Sequence, residues 1–555
     1  MLYINEKSLL FNKKYKFVQC IQTILDNHIM ESIRIQNLRS IGDSGVIPIK
    51  NINILVGQNS SGKSTFLRTF PLLRQSIIRN TRGPILWYDD SLVDFGSYEE
   101  SITRNCNKDD GIKFNFEVKV DDYSNSRFRH MGVQANIQAG LTLNVEIEIF
   151  ETKKINYIKT IKLKIANQII YIESNSDGAV KEFQINNQSM LNSDISAKLF
   201  KQENTGILPG LFVFTKSKNE NAIESRTNIL YFRNKCLEHI KKQIGNRLTN
   251  LERISVLISS INISTKESVL KQFKTKSNIG TWIKKTSNWT VDTPEFIEIN
   301  NFLIAFKVPT LLRITDEYLK LYFGECRYIA PVRAKALRYY RRQDLSIAEV
   351  DAYGENMHMF LDNLNPRQKA DYQNFVREIF GFTPLTGSSL GHITINIKDA
   401  DGDEFNLADL GFGYSQVLPI ITKLWFAFTS SIFNLNNRSI NLLDNKIKVV
   451  TILIEQPELH LHPAMQAQLA DAFIIAIEKA KEKGIQLKLI IETHSAVIIN
   501  RIGRRIIEKK VASENVNVTL FDINAKTKRS IINTTTFNEN GVLLNWPLGF
   551  FEPKN

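Results

Sequence analysis

The sequence predicts an α/β fold: parallel strands built around a phosphate-binding loop and split by a large insertion of mixed helices and strands. Three observations carry this. The segment Gly57-Gln58-Asn59-Ser60-Ser61-Gly62-Lys63-Ser64-Thr65 lies between the apolar run Ile52–Val56 and the helix-like Phe66–Phe70, the strand, loop and helix order of a P-loop. Two later strand-like runs, the β-branched Val449–Ile454 and Leu487–Ile491, each end in polar residues, as buried parallel strands do where they meet a site. More than 200 residues of different composition separate the first motif from the other two.

In chain order, residues 1–29 read as an N-terminal extension. Met30–Leu38 alternates like the first strand of a domain, and residues 30–100 make the first half of the nucleotide-binding unit. Residues 101–325 are the insertion, assigned to partner or oligomer contacts. It shows strand-like alternation at Ile112–Val120, Leu141–Phe150 and Tyr157–Ile165, then helix-like stretches at Thr227–Ser260 and Thr265–Phe273. In the first of these, Ile229, Leu230, Phe232, Leu237, Ile240, Ile244 and Leu248 share one helix face, in a stretch too short and irregular for a long coiled coil. Residues 326–555 form the second half, resuming at Cys326–Pro331.

The 555 residues are enough for a large core and two structural units. The net charge is +14, from 71 basic and 57 acidic residues. The excess is concentrated: Glu151–Thr290 holds 23 Lys and Arg against 11 Asp and Glu. A polyanionic partner, with DNA the expected one, accounts for such a region; a solvated surface in a Lys-, Asn- and Ile-rich chain is the bland alternative. No apolar run approaches the roughly 20 residues of a membrane span. Leu418–Phe433 contains Lys423 and reads as a buried helix. Cys20, Cys106, Cys236 and Cys326 have neither metal nor disulfide spacing, and no cleavage site follows a hydrophobic core at the start, so the expected location is the cytoplasm.

The P-loop chemistry follows from its residue types. Gly57 and Gly62 let backbone N–H groups turn around phosphates, and the following helix adds its positive end. Asn59, Ser60, Ser61 and Thr65 complete the cradle, Lys63 reaches the β- and γ-phosphates, and the Ser64 hydroxyl ligands Mg²⁺. ATP with Mg²⁺ is therefore the expected cofactor. At the end of Val449–Ile454, the carboxylate of Glu455 is placed to join Ser64 in holding Mg²⁺. After the next run, His494 in Thr493-His494-Ser495 is placed to sense the γ-phosphate or orient the attacking water. Leu407-Ala408-Asp409-Leu410-Gly411-Phe412-Gly413-Tyr414-Ser415-Gln416 precedes a helix expected at Val417–Phe433; Gly413 and Ser415 there suit an anion, expected on nucleotide bound by a second protomer.

Together these motifs resemble the ABC-class ATPase heads of the SMC, Rad and overcoming-lysogenization-defect group, over about Met30–Glu100 and Cys326–Asn555. The segments Ile454–Pro463 (Ile-Glu-Gln-Pro-Glu-Leu-His-Leu-His-Pro), Tyr328–Arg333 and Trp546–Phe551 are similar to AAA-type members of that group, most of all to the PtuA ATPases of Septu and certain retron anti-phage systems. The resemblance implies a homodimer or higher oligomer closed around ATP, nucleotide contacts from Asn37 and Arg39, a PtuB-like HNH nuclease partner, and in retrons a reverse transcriptase with its RNA and DNA. The alternative function is a DNA repair or recombination ATPase of the SMC, Rad or RecF kind without a nuclease. A transporter ATPase is disfavoured by the insertion and by the absent Leu-Ser-Gly-Gly-Gln signature, in whose place stands Gly413-Tyr414-Ser415-Gln416.

The family-wide Asp-Glu pair is Glu455-Gln456 here. A glutamine amide cannot act as a general base, so Glu455 or Glu458 takes that role or hydrolysis is slow. About 60 residues follow His494 without a D-x-D cluster, so no intrinsic nuclease is expected. His460 and His462 lack a third ligand, and a loop near the nucleotide is preferred over a metal site. Arg333, Arg338, Arg341 and Arg342 read either as a solvated face or as a phosphate or partner contact.

Overall fold

The computed structural model describes residues 30–120, 137–138, 140–201, 206–215, 226–227, 230–244, 251–429 and 448–545. The extension 1–29 and the Trp546–Phe551 motif lie outside them.

A parallel sheet carries the motifs. Its strands run in the spatial order Cys326–Ile329, Lys448–Glu455, Ile485–Glu492, Ile52–Gly57, Val516–Ile523 and Ser530–Thr535, all parallel except the last. Side chains alternate between two cores, because successive strand residues point to opposite faces. Ile52, Ile54, Val450, Ile452, Leu489 and Ile491 face one core, which also holds Val417–Phe428 and the helices Pro463–Glu482 and Ala496–Ile507. Leu55, Leu453 and Ile490 face the other, shared with the P-loop helix Lys63–Ile78 and the long helix Pro294–Gly324.

That second core continues into an antiparallel sheet. Met30–Leu38 pairs with Ile112–Lys119, which pairs in turn with Thr142–Thr152, and the meander goes on through Ile155–Ile165, Gln168–Ser174 and Val180–Ile185. Residues on both sides of position 100 therefore build one sheet. Lys488, in the middle of a parallel strand, ties the two sheets together: its Nζ donates to Met30 O (2.6 Å) and Ile49 O (3.2 Å).

The expected strands of the insertion appear within one or two residues of their anticipated ends. Of the helix expected over Thr227–Ser260, Tyr231–Ile244 and Leu251–Ser260 are helical, Thr227 instead ends a short strand paired with Gly210–Thr215, and Ile229 and Leu248 lie outside the described residues; the expected Thr265–Phe273 appears as Lys266–Thr275. These pack with Gly280–Thr286 and the start of Pro294–Gly324 around Phe273, Trp282 and Phe296 as a third core. The helix anticipated from Val417 begins five residues earlier, at Phe412, and is described to Thr429.

Candidate nucleotide-binding site

Two glycines fix the P-loop. Gly57 ends the central strand with φ 154°, and a Cβ there would collide with the Phe521 carbonyl on the neighbouring strand. Gly62 sits at φ 101° at the helix start, where a Cβ would lie 2.6 Å from Ser530 Oγ. Both positions exclude side chains by conformation and by space. Between them Asn59 and Ser60 are exposed, Ser60 in the left-handed region, while Ser61 is buried and donates to Gln58 O at 2.7 Å. Lys63 is only 3% exposed and donates from Nζ to Gly57 O (2.9 Å) and Gln58 O (2.7 Å). Burial lowers its pKa, opposed by the carboxylates of Glu492 and Glu458. The Thr65 carbonyl accepts from Thr69 Oγ1 one turn on (2.9 Å).

Beside this loop two parallel strands end in register, Glu455 opposite Glu492. The environments of the two carboxylates differ. Glu455 is held on both oxygens. Arg68, one turn into the P-loop helix, donates Nε to Oε1 (2.6 Å) and Nη2 to Oε2 (2.8 Å), and the Tyr328 hydroxyl also donates to Oε1 (2.7 Å). Glu492 accepts from Ser64 Oγ at 2.9 Å through Oε1, whereas its Oε2 is buried with no hydrogen-bond partner. Burial, then the charge of Glu455, pushes the Glu492 carboxyl up to about 7.

Glu458 is committed to the neighbouring strand end. Its Oε2 accepts from Thr493 Oγ1 (2.9 Å) and its Oε1 from the backbone N–H of His494 (2.7 Å), and burial raises its pKa. Gln456 adopts φ 43°, its N–H donating to Glu492 O at 2.8 Å. Burial, and then the Lys63 ammonium, hold the His494 imidazole below the usual histidine range. A neutral ring beside Lys63 is competent to accept a proton or a hydrogen bond.

The fold thus gathers Lys63, Ser64, Glu455, Gln456, Glu458 and His494 at one end of the parallel sheet. Gly413 and Ser415 lie in the first turn of Phe412–Thr429. The Cβ position of Gly413 is 3.4 Å from His460 O, and Ser415 Oγ donates to Phe412 O (2.9 Å). Asn37 and Arg39, both with positive φ, lie at the end of the first strand and just after it. Asn37 donates to Gly111 O (3.0 Å), and Arg39 lies over the Phe95 ring, 4.3 Å from its centroid. His462 accepts from Ala464 N (3.2 Å) and so caps Pro463–Glu482.

The basic cluster resolves into different roles. Arg333 is buried (3% exposed) and donates from Nη2 to Glu455 O (3.0 Å) and Gln456 O (3.3 Å), bracing the turn behind the carboxylates. Its backbone exchanges hydrogen bonds with the Gln416 side chain, joining that turn to the helix that begins at Phe412. Arg338 instead pairs with Asp409, and Arg342 with Asp362, at the surface. Sequence reasoning missed Arg68 and Glu492. Glu492 had a signal available: like Glu455, it is the acid that ends a run read as a buried strand.

Among the described residues, no group of three or more His, Cys, Asp or Glu side chains is arranged to hold a metal by itself. Mg²⁺ commonly takes one or two protein ligands and completes its shell with phosphate oxygens and water. The unpartnered Glu492 Oε2 beside the Ser64 hydroxyl fits that demand.

No curated protein matches the sequence. Among solved structures, an SMC head bound to the C-terminal winged-helix domain of ScpA is similar at 11% identity and TM-score 0.32, covering 91% of this chain and 97% of that one. The SMC head domain from Thermotoga maritima is similar at 8% identity and TM-score 0.31, covering 91% and 98%. An SMC head with an extended coiled coil from Pyrococcus furiosus, bound to the C-terminal domain of ScpA, gives 12% identity and TM-score 0.30, covering 91% and 96%. Residues 29–499 match the AAA ATPase domain, and since that match spans most of the chain, the protein belongs to the AAA ATPase domain family.

Proposed function

We propose that this protein is the ATP-binding, slowly hydrolysing ABC-like subunit of a cytoplasmic bacterial anti-phage complex, which dimerises around ATP and regulates a partner HNH-type nuclease. The observation that carries the slow-ATPase part is the commitment of Glu455 and Glu458. Glu455 is clamped by Arg68 and Tyr328 and Glu458 is spent on Thr493 and His494, while Gln456 takes the sequence place of the carboxylate in the resembling ATPases. A general base must be within hydrogen-bond reach of its proton and free to take it. When bound, Mg²⁺ supplies charge neutralisation on the phosphates. Lys63 and the loop amides would bind the triphosphate, His494 would orient water or γ-phosphate, and Gly413 and Ser415 would face the nucleotide of a second protomer.

The defence role is supported by the resemblance of Ile454–Pro463 and Tyr328–Arg333 to the Septu and retron ATPases, and by the basic surplus of Glu151–Thr290, which suits a nucleic-acid partner. The test is to mix the protein with plasmid and Mg²⁺ or Mn²⁺, with and without the product of its adjacent gene. Cleavage only in the mixture supports the proposal. Robust cleavage by this chain alone, lost on mutating residues outside the P-loop, overturns the division of labour.

A further inference from the structure

We propose that Glu492, together with Ser64, is the carboxylate that faces the nucleotide-bound divalent cation, and that Glu455 is instead a structural anchor for the P-loop helix. The proposal rests on the ATP-binding reading above. Its basis is the contrast between two acids in adjacent register. All the engaged valence of Glu455 points at Arg68 and Tyr328, and the guanidinium meets its carboxylate in the two-bond geometry that makes such pairs strong. Reaching a cation would require Glu455 to abandon a cationic partner in a site where it is only 2% exposed, and breaking such a buried pair is costly.

Glu492 has the opposite character. It is 3% exposed, one oxygen touches the P-loop hydroxyl at 2.9 Å, and the other has no hydrogen-bond partner. A buried carboxylate oxygen without a partner is an unstable arrangement unless something arrives to satisfy it. Arg68 engages both oxygens of one of the two adjacent acids, while the Lys63 ammonium hydrogen-bonds to the carbonyls of Gly57 and Gln58 and not to Glu492. The oxygen left without a partner is that of Glu492, next to the hydroxyl that P-loops use for the metal. A hard cation with oxygen ligands is the chemistry that fits.

Mn²⁺ serves as the probe, with AMP-PNP as nucleotide and the full-length chain. Free Mn²⁺ is followed by electron paramagnetic resonance during titration of wild type, Glu492→Gln and Glu455→Gln, while AMP-PNP binding in EDTA is measured separately by calorimetry. The expected result is a rise in the Mn²⁺ Kd of about tenfold or more in Glu492→Gln, at least the effect seen on losing a group that merely supports a ligand, with metal-free nucleotide binding retained. An unchanged Mn²⁺ Kd in Glu492→Gln, or a loss confined to Glu455→Gln, overturns the proposal. Should Glu492→Gln not melt cooperatively, Glu492→Asp is read by the same criterion, since it keeps the charge and withdraws it by one methylene. Failure of wild type to bind AMP-PNP under any condition would instead sink the P-loop reading, which separates the two failures.

Discussion

At the level of single residues, the site divides into what is local in sequence and what is not. Gly57, Gly62, Lys63 and Ser64 were legible because a P-loop is made by nine consecutive residues whose backbone geometry their own types dictate. The partnership of Ser64 with Glu492 spans 428 positions and that of Arg68 with Glu455 spans 387, and no spacing rule reaches that far. Two predictions belong here. Lys63→Ala should abolish ATP binding by calorimetry, because no other side chain offers an ammonium to the β/γ bridge from inside the loop; undiminished binding would contradict the assignment. Arg68→Met should destabilise the fold by about 3 kcal/mol in denaturant titration, because it strands the buried Glu455 carboxylate. The double variant Arg68→Met, Glu455→Gln should recover much of that loss, and no recovery would mean that the pair is not coupled.

Secondary-structure elements were read best where the period was clean. Ile112–Lys119 alternates buried and half-buried residues at every position and appeared as anticipated. The 31-residue helix Pro294–Gly324 was missed because its buried residues include Phe296, Ile299, Leu303, Ile304 and Val308 and extend around most of its circumference, leaving no single stripe to detect. The same burial in the strand Ile485–Glu492 produces a measurable consequence at Lys488, whose ammonium is wholly enclosed between the two sheets and whose pKa burial depresses to about 7. Its unfolded value is near ~10.4. Between those values the unfolded chain holds a proton that the folded chain lacks, so stability contributed at this position rises with pH. Wild type should therefore gain on Lys488→Met as pH increases from 7 to 9, by up to about 1 kcal/mol per pH unit. Parallel stability curves for the two proteins would show that the lysine is not buried in this way.

On the scale of the whole molecule, the sequence made the parallel motif strands recognisable but not their order. The strand Ile485–Glu492 lies between Lys448–Glu455 and Ile52–Gly57, and that placement sets the two acids side by side at the P-loop. The antiparallel meander was only partly visible, since Gln168–Ser174 and Val180–Ile185 are short and joined by turns whose pairing partners are decided by the sheet already present. Among the described residues no helix is long and apolar enough to cross a membrane. The central claim is that this architecture binds ATP while an amide, Gln456, takes the place of the family's catalytic carboxylate, so that the ATP-bound state is long-lived. The most direct test is steady-state ATP turnover of wild type beside Gln456→Glu. The account predicts a wild-type rate well below the ~10 s⁻¹ typical of enzymes, and an increase of about a hundredfold when a carboxylate replaces the amide. Brisk wild-type turnover with no response to the substitution would contradict it, and would assign the base to another carboxylate.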